Sequence, residues 1–385
     1  MRPFNVPSFI IDKFMIVKQY PFYLKATVIL FGIILLVYVL FNLQDIMIPL
    51  AFAMIFAILL NPVYTWFQRH KVPKILSIVI PLLLSFIVFG AIMYFLSSQI
   101  ARFSDTLPLL KQKFSSLTTQ FGQWAQLGFG VTIKKQIELL NSALNSSSTL
   151  LSSTVSTALG TLGIILLLPV YIFLFLFYKT LILNFLFEVF AEENFKQVSD
   201  ILNDTKSAIQ SYMVGLLLEA LIVAVLNSTA LLILGVKYAI LLGVIGALLN
   251  IIPYIGGLVA MALPVLIATV TKDGYNTQLG ILIAYIIIQF IDNNILVPRI
   301  VSSKVQVNAL ISILTVLLGA ALWGVPGMFL SIPLVAILKI IFDRVPDLKP
   351  WGKLLGDTVP TRHKGEIWNL RRKKSKPSLS EDILS

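Results

Sequence analysis

Eight side chains in the second half of this sequence are polar where their neighbours are aliphatic. Glu219 and Asn227 stand in the apolar run that starts at Tyr212, and Asn250 ends the run that starts at Tyr238. Tyr285, Gln289, Asp292, Asn293 and Asn294 stand in or just after the run that starts at Leu279. A carboxyl group in hydrocarbon costs about 2.5–3.5 kcal/mol on insertion scales, so such groups usually face a pathway or a partner. Tyr285, Gln289 and Asp292 fall at i, i+4 and i+7, which places them on one helical face. With Glu219, Asn250 and Asn293 they outline a polar path through an apolar shell. That chemistry binds and passes a solute or an ion and breaks no bond. Plainer readings stand beside it: Asp292 paired with Arg299 at the interface, Glu219 bonded to a neighbouring helix, and Asn227 tying two helices together.

Other chemistries lack their residues. The chain has no cysteine, which excludes disulfides, thiol catalysis and Cys-metal sites. Its two histidines, His70 and His363, stand apart in basic sequence. There is no HExxH, no Walker A sequence and no Ser/His or Ser/Lys pair at membrane depth. The expectation is therefore a protein that is not an enzyme and uses no cofactor or metal.

Composition indicates the solvent. Of 385 residues 57% are hydrophobic and 12% charged, and the mean hydropathy is +0.90. A soluble protein carries about 25% charged residues, so the expected fold is all-α and polytopic in a membrane. The net charge of +12 then reflects basic loops rather than nucleic-acid binding. Ten Lys and Arg lie beyond Asp343, and this basic tail is read as a topology anchor that touches anionic lipids. The first apolar run, near Ala26, is too long for a signal-peptide core and is read as a retained helix.

Two long apolar stretches must position the polar residues. Tyr238–Val270 is interrupted around Asn250, Pro253, Gly256 and Gly257, and Ala309–Phe342 at Gly319 and at Gly324, Pro326 and Gly327. Each exceeds the roughly 20 residues of one crossing, yet each half falls short of it. Both are expected to be broken helical hairpins, a pattern that points to a transporter's binding site. Irregular backbone at that depth must be buried in protein or line a wet cavity. The segments read as follows: 1–25, N-terminal; 26–96, three spanning helices; 97–154, amphipathic and extracytoplasmic; 155–342, the transport core with hairpins 238–270 and 309–342; 343–385, the basic tail. About six full spans are expected beside the hairpins, with a loop at Asn61–Lys74 and an amphipathic, polar segment at Lys179–Ser211. Alternating the spans puts the basic loops and both termini on one side, which is cytoplasmic by the positive-inside rule. The hairpins then open to opposite sides, as in an inverted repeat. Leu107, Leu110, Phe114, Leu117, Phe121 and Trp124 form a heptad seam suited to subunit contact.

Pro253-Tyr254-Ile255-Gly256-Gly257, the stretch QFIDNNILVP from Gln289 to Pro298, and Gly324-Val325-Pro326-Gly327 with Pro333-Leu334 follow one another in order. In that order and spacing the chain resembles the AI-2E family, exporters of the autoinducer-2 signal in bacterial inner membranes. The resemblance runs from the first helix to the second hairpin and is strongest over residues 206–341. It implies a homo-oligomer, pentameric in the family, that exports a small polar solute. It also implies an alternative, since some members exchange Na⁺ or Li⁺ for H⁺. A channel-like pore or a scaffold is the remaining reading.

Overall fold

The structure, a computed structural model, describes residues 21–104, 112, 116, 167–190, 194–252, 256–272, 274–301 and 307–357. The heptad seam, Pro253 and most of the basic tail lie outside the described residues.

The described residues form an all-α polytopic membrane protein. Their only non-helical pairing is one antiparallel bridge between Val307 and Gly356. The helices are α1 (Phe22–Asn42), α2 (Gln44–Arg69) and α3 (Lys74–Ser104), then α4 (Leu167–Phe177) and α5 (Lys179–Val189). After these come α6 (Phe195–Ile233), α7 (Ala239–Asn250), α8 (Gly256–Thr271), α9 (Asn276–Ile291), a π-helix (Asp292–Val301), α10 (Ala309–Arg344) and α11 (Lys349–Leu355). Among the described residues six helices are long and apolar enough to span a membrane, and α4 with α5, bent by 63°, makes a seventh candidate.

Most of the expected loop Asn61–Lys74 is helical. α2 continues through Asn61–Arg69 although Pro62 lies inside it. Proline cannot donate to the carbonyl four residues back, and that carbonyl, of Ile58, instead accepts the Gln210 amide at 2.8 Å. Likewise, part of the polar segment 179–211 extends α6 to 39 residues, about 58 Å at 1.5 Å per residue. Its charged face is satisfied by α10: Arg344 pairs with Asp200 at 3.1 Å and with Asp204 one turn on.

These ties gather the basic segments at one end of the bundle. Lys179 donates to Asn61 Oδ1 at 2.8 Å, Lys74 lies over the Phe177 ring, and Gln197 donates to the Arg344 carbonyl. At the opposite end, the Trp323 indole N–H donates to the Leu40 carbonyl at 3.0 Å. That carbonyl lies in the last turn of α1, where helical partners run out.

The second hairpin is not one rod. As a straight helix the 36 residues of α10 would reach about 54 Å. Instead the backbone leaves helical geometry at Trp323 (φ −135°, ψ 16°) and Gly324 (φ 62°, ψ −140°). The latter is a conformation only glycine adopts without strain. The chain then folds back, so that Ser331 Oγ donates to the Thr315 carbonyl at 3.0 Å. Gly319, expected as a break, is helical. A Cβ there would collide with Ser331 and stand 2.5 Å from the Gly327 carbonyl, so this glycine is where the two arms touch. Pro326 and Gly327 lie in the returning arm.

The first hairpin is shorter: α7 has 12 residues and α8 has 16. At about 18 Å, α7 cannot cross a ~30 Å core. Leu242, Ala260, Ile267 and Ala268 of this hairpin pack with Leu231 of α6 and Ile281 and Tyr285 of α9. The second hairpin packs through Leu330 on Ile55 of α2 and on Ile209, Tyr212, Met213 and Leu216 of α6. The long α6 is thus the wall against which both hairpins lean.

Candidate functional site

The two hairpins and α6 leave a cavity of about 700 Å³ between them, within the usual range for a small-molecule site. Tyr212, Leu216 and Glu219 line it from α6, Asn250 and Ile251 from the end of α7, and Gly257, Leu258 and Met261 from α8. Tyr285 and Gln289 project from α9, Asp292, Asn293 and Val297 from the π-helix, and Ser312 and Ile332 from the two arms of α10. All six residues expected on a pathway, Glu219, Asn250, Tyr285, Gln289, Asp292 and Asn293, stand on this one surface. Asn227 does not line it.

The contact at its centre joins the broken hairpin to the π-helix. Asn250, the last residue of α7, donates through Nδ2 to Asp292 Oδ2 at 2.8 Å. Asp292 is also where α9 stops being an α-helix. The sequence predicts one α-helix to Val297, but the widened turns begin at Asp292 and run through Pro298, whose missing N–H cannot sustain the regular ladder. Such π segments often mark functional positions because they re-aim the side chains within them. Asp292, at the junction, is only 2% exposed, while Asn293 beside it is exposed.

Glu219 lies opposite, 6% exposed, with its carboxyl group close enough to that of Asp292 to interact directly. Asp292 and Arg299 form no ion pair among the described residues, and no Lys or Arg lines the cavity. Two buried carboxyls without a basic partner need a proton, a cation or a hydrogen-bonding solute to balance them when ionised. Asp292 Oδ1 has no hydrogen-bond partner among the described residues, so one acceptor is left over after Asn250 is bonded.

The glycines of the first break hold the amides in place. A Cβ on Gly257 would come 2.6 Å from Gln289 Oε1 and 3.4 Å from Asn250 Oδ1. These two amides therefore lie directly over the bare backbone at the start of α8. Gly256 sits against the Leu249 carbonyl, where a Cβ would overlap it. Gln289 and Asn293 approach at 3.5 Å, at the limit of a hydrogen bond.

Several lining residues escape a polarity search. Tyr212 lies seven residues before Glu219, the same helical face, but reads as the ordinary start of an apolar run. Ser312 and Val307 come from a segment with no break of its own. Their place depends on the fold of α10, and only the turn at Gly324 could have pointed to it.

Comparison with known proteins gives three findings. Residues 27–347 match the model of the family described as AI-2E family transporter. The "AI-2 transport protein TqsA" of Escherichia coli is 24% identical over 314 residues, covering 81% of this chain and 90% of its own. The Bacillus subtilis protein named "Putative transport protein YrrI" is 26% identical over 306 residues, covering 77% of this chain and 86% of its own.

Proposed function

Since the chain belongs to the AI-2E family of transporters, which is a transporter family and not an enzyme family, we propose that it exports a small polar solute through the cavity between its two broken hairpins. The observation that carries this reading is the Asn250–Asp292 hydrogen bond. It fixes the end of a half-helix to a buried carboxylate on the cavity wall, beside a second carboxyl, Glu219. A solute with hydroxyl groups would donate to the Asp292 and Glu219 oxygens and exchange bonds with the amides of Asn250 and Gln289. The mostly apolar remainder of the wall, Leu216, Leu258, Met261 and Ile332, would cover its carbon skeleton. The name of TqsA points to autoinducer-2, a small oxygen-rich molecule of that kind, and we take it as the first solute to test.

The hairpins open from opposite ends of the bundle, and we read both as re-entrant units of an inverted repeat. Movement of these units against α2 and α6 would expose the cavity to each side in turn. The end that carries Arg69, Lys71, Lys74 and Arg344 is read as cytoplasmic by the positive-inside rule, which places both termini inside. A bacterial inner membrane is the setting, and a homo-oligomer the assembly. The facing carboxyls favour one second reading, exchange of Na⁺ or Li⁺ for H⁺, because two adjacent acids can hold a cation and a proton alternately.

The test is solute exchange in reconstituted vesicles against a panel of polar solutes, with and without a proton gradient. Saturable efflux of autoinducer-2 supports the proposal. A Na⁺- or Li⁺-dependent signal from a trapped pH dye, with no solute flux, selects the antiporter. Flux that rises without saturation selects a channel-like pore.

A further inference from the structure

We propose that Gln278, Asn227 and Tyr285 form a second, narrower polar passage, which continues from the solute cavity to the opposite end of the bundle and carries water and protons but not the solute. This rests on the transport reading of the cavity and adds a separate route to it.

Three observations converge. First, Asn227 Oδ1, Gln278 Oε1 and the Tyr285 hydroxyl have no hydrogen-bond partner among the described residues. Their residues are 2%, 8% and 5% exposed. Buried polar atoms are rarely left unbonded, and water is their usual partner when protein supplies none.

Second, the register lines them up. Gln278, Tyr285 and Asp292 recur every seven residues along α9 and into the π-helix, one face over about 21 Å. The residues between them on this face, Ile281 and Ile288, are buried. On the antiparallel α6, Asn227 follows Glu219 by eight residues, about 12 Å. The two helices therefore oppose polar groups at two levels, Glu219 with Asp292 and Asn227 with Tyr285. Gln278 lies one step further out, near the end of α6, where Gly280 packs on Leu234.

Third, a glycine keeps the middle level open. A Cβ on Gly246 of α7 would stand 3.3 Å from Asn227 Nδ2, 3.3 Å from the Ala260 Cβ and 3.7 Å from the Tyr285 oxygen. A methyl group there would press on the Asn227 amide and the Ala260 methyl, so the bare glycine leaves at this level only a space narrower than a side chain. An organic solute cannot follow, but a chain of hydrogen-bonded waters can relay a proton through it. In such a relay each water accepts one proton and releases another, while the two amides and the Tyr285 hydroxyl hold the waters in line. The proton ends on a carboxyl of the Glu219–Asp292 pair and leaves again to cavity water. Near the end of α6 stands Lys272, its Nζ 3.3 Å from where a Cβ on Gly235 would lie.

The experiment measures two fluxes in the same vesicles. A trapped pH dye reports proton flux under a clamped potential, and autoinducer-2 efflux down its own gradient is followed with no proton gradient. The variants are Gly246→Ala, Gln278→Leu and Asn227→Leu, with Gly32→Ala as control because nothing lies within 4 Å of that position. The expected result is proton flux in the unaltered protein that falls by about tenfold or more in Gly246→Ala and Gln278→Leu, with solute efflux retained. Asn227→Leu decides the matter if one of the other two does not fold. Proton flux that is absent from the unaltered protein, or unchanged in every folded variant, overturns the passage. Loss of solute efflux in the unaltered protein, with proton flux and its response to the variants intact, overturns the transport reading and leaves the passage standing.

Discussion

Removing the Asn250 amide and the Asp292 carboxyl, singly and together, measures the contact on which the cavity turns. In Asn250→Ala the donor 2.8 Å from Asp292 Oδ2 is lost. Asp292 Oδ1 already lacks a partner, so the buried carboxyl keeps only its contact with Glu219. Leaving a buried polar group unsatisfied costs about 1–3 kcal/mol, and tenfold in rate corresponds to about 1.4 kcal/mol. Asn250→Ala should therefore slow efflux by roughly tenfold to a hundredfold. Asp292→Ala strands the Asn250 amide in turn and should cost at least as much. The double variant leaves neither group without its partner, so its loss should hardly exceed that of the worse single variant. The coupling expected is about 1–2 kcal/mol, inside the range seen for residues in contact. Initial efflux rates from loaded vesicles give the cycle, and melting temperatures in detergent give a parallel one that needs no solute. Losses that simply add, to within about 0.5 kcal/mol, would refute the idea that this hydrogen bond holds the half-helix to the site.

Further outcomes follow from the packing. Gly319→Leu should drive the arms of α10 apart, break the Ser331–Thr315 hydrogen bond and lower the melting temperature; Gly90→Leu, with open space around it, should melt like the unaltered protein. Gly324→Ala puts a side chain at φ 62°, ψ −140°, which costs about 1–3 kcal/mol, and should be visible as earlier thermal unfolding. Arg344→Gln releases Asp200 and Asp204. These side chains are 41–48% exposed, so the loss should be below about 1 kcal/mol, should shrink as salt is added, and should be recovered by lysine at the same position. Trp323→Phe removes the indole donor to the Leu40 carbonyl and should raise the protease sensitivity of the link between α1 and α2.

The parts of this molecule that read directly from the sequence are those set by local rules. Continuous aliphatic runs give α1, α2, α3 and α9, and glycine gives the turn at Gly324, because each depends on residues close in the chain. The polar face Tyr285–Gln289–Asp292 was legible for the same reason: helical spacing alone puts those side chains together. Features set by distant partners were not. Pro62 suggests a helix end until Gln210, almost 150 positions on, takes up the freed carbonyl of Ile58. Gly319 suggests a break, because a glycine that bends a chain and one that admits a neighbour are the same letter. The acidic residues Asp200 and Asp204 suggest only the solvated side of an amphipathic segment until Arg344 is seen between them. Gln278 stands in the first turn of α9, and only its place seven residues before Tyr285 gives it a further meaning.

The most direct test of the account is efflux of autoinducer-2 from vesicles carrying Asp292→Asn, Glu219→Gln or neither. Both substitutions keep the shape of the side chain and remove its charge. The account predicts saturable efflux in the unaltered protein and a loss of about tenfold or more in each variant, with folding intact by melting temperature. Saturable efflux that is unchanged in both variants would contradict it, since the solute would then be passing somewhere other than between Glu219 and Asp292.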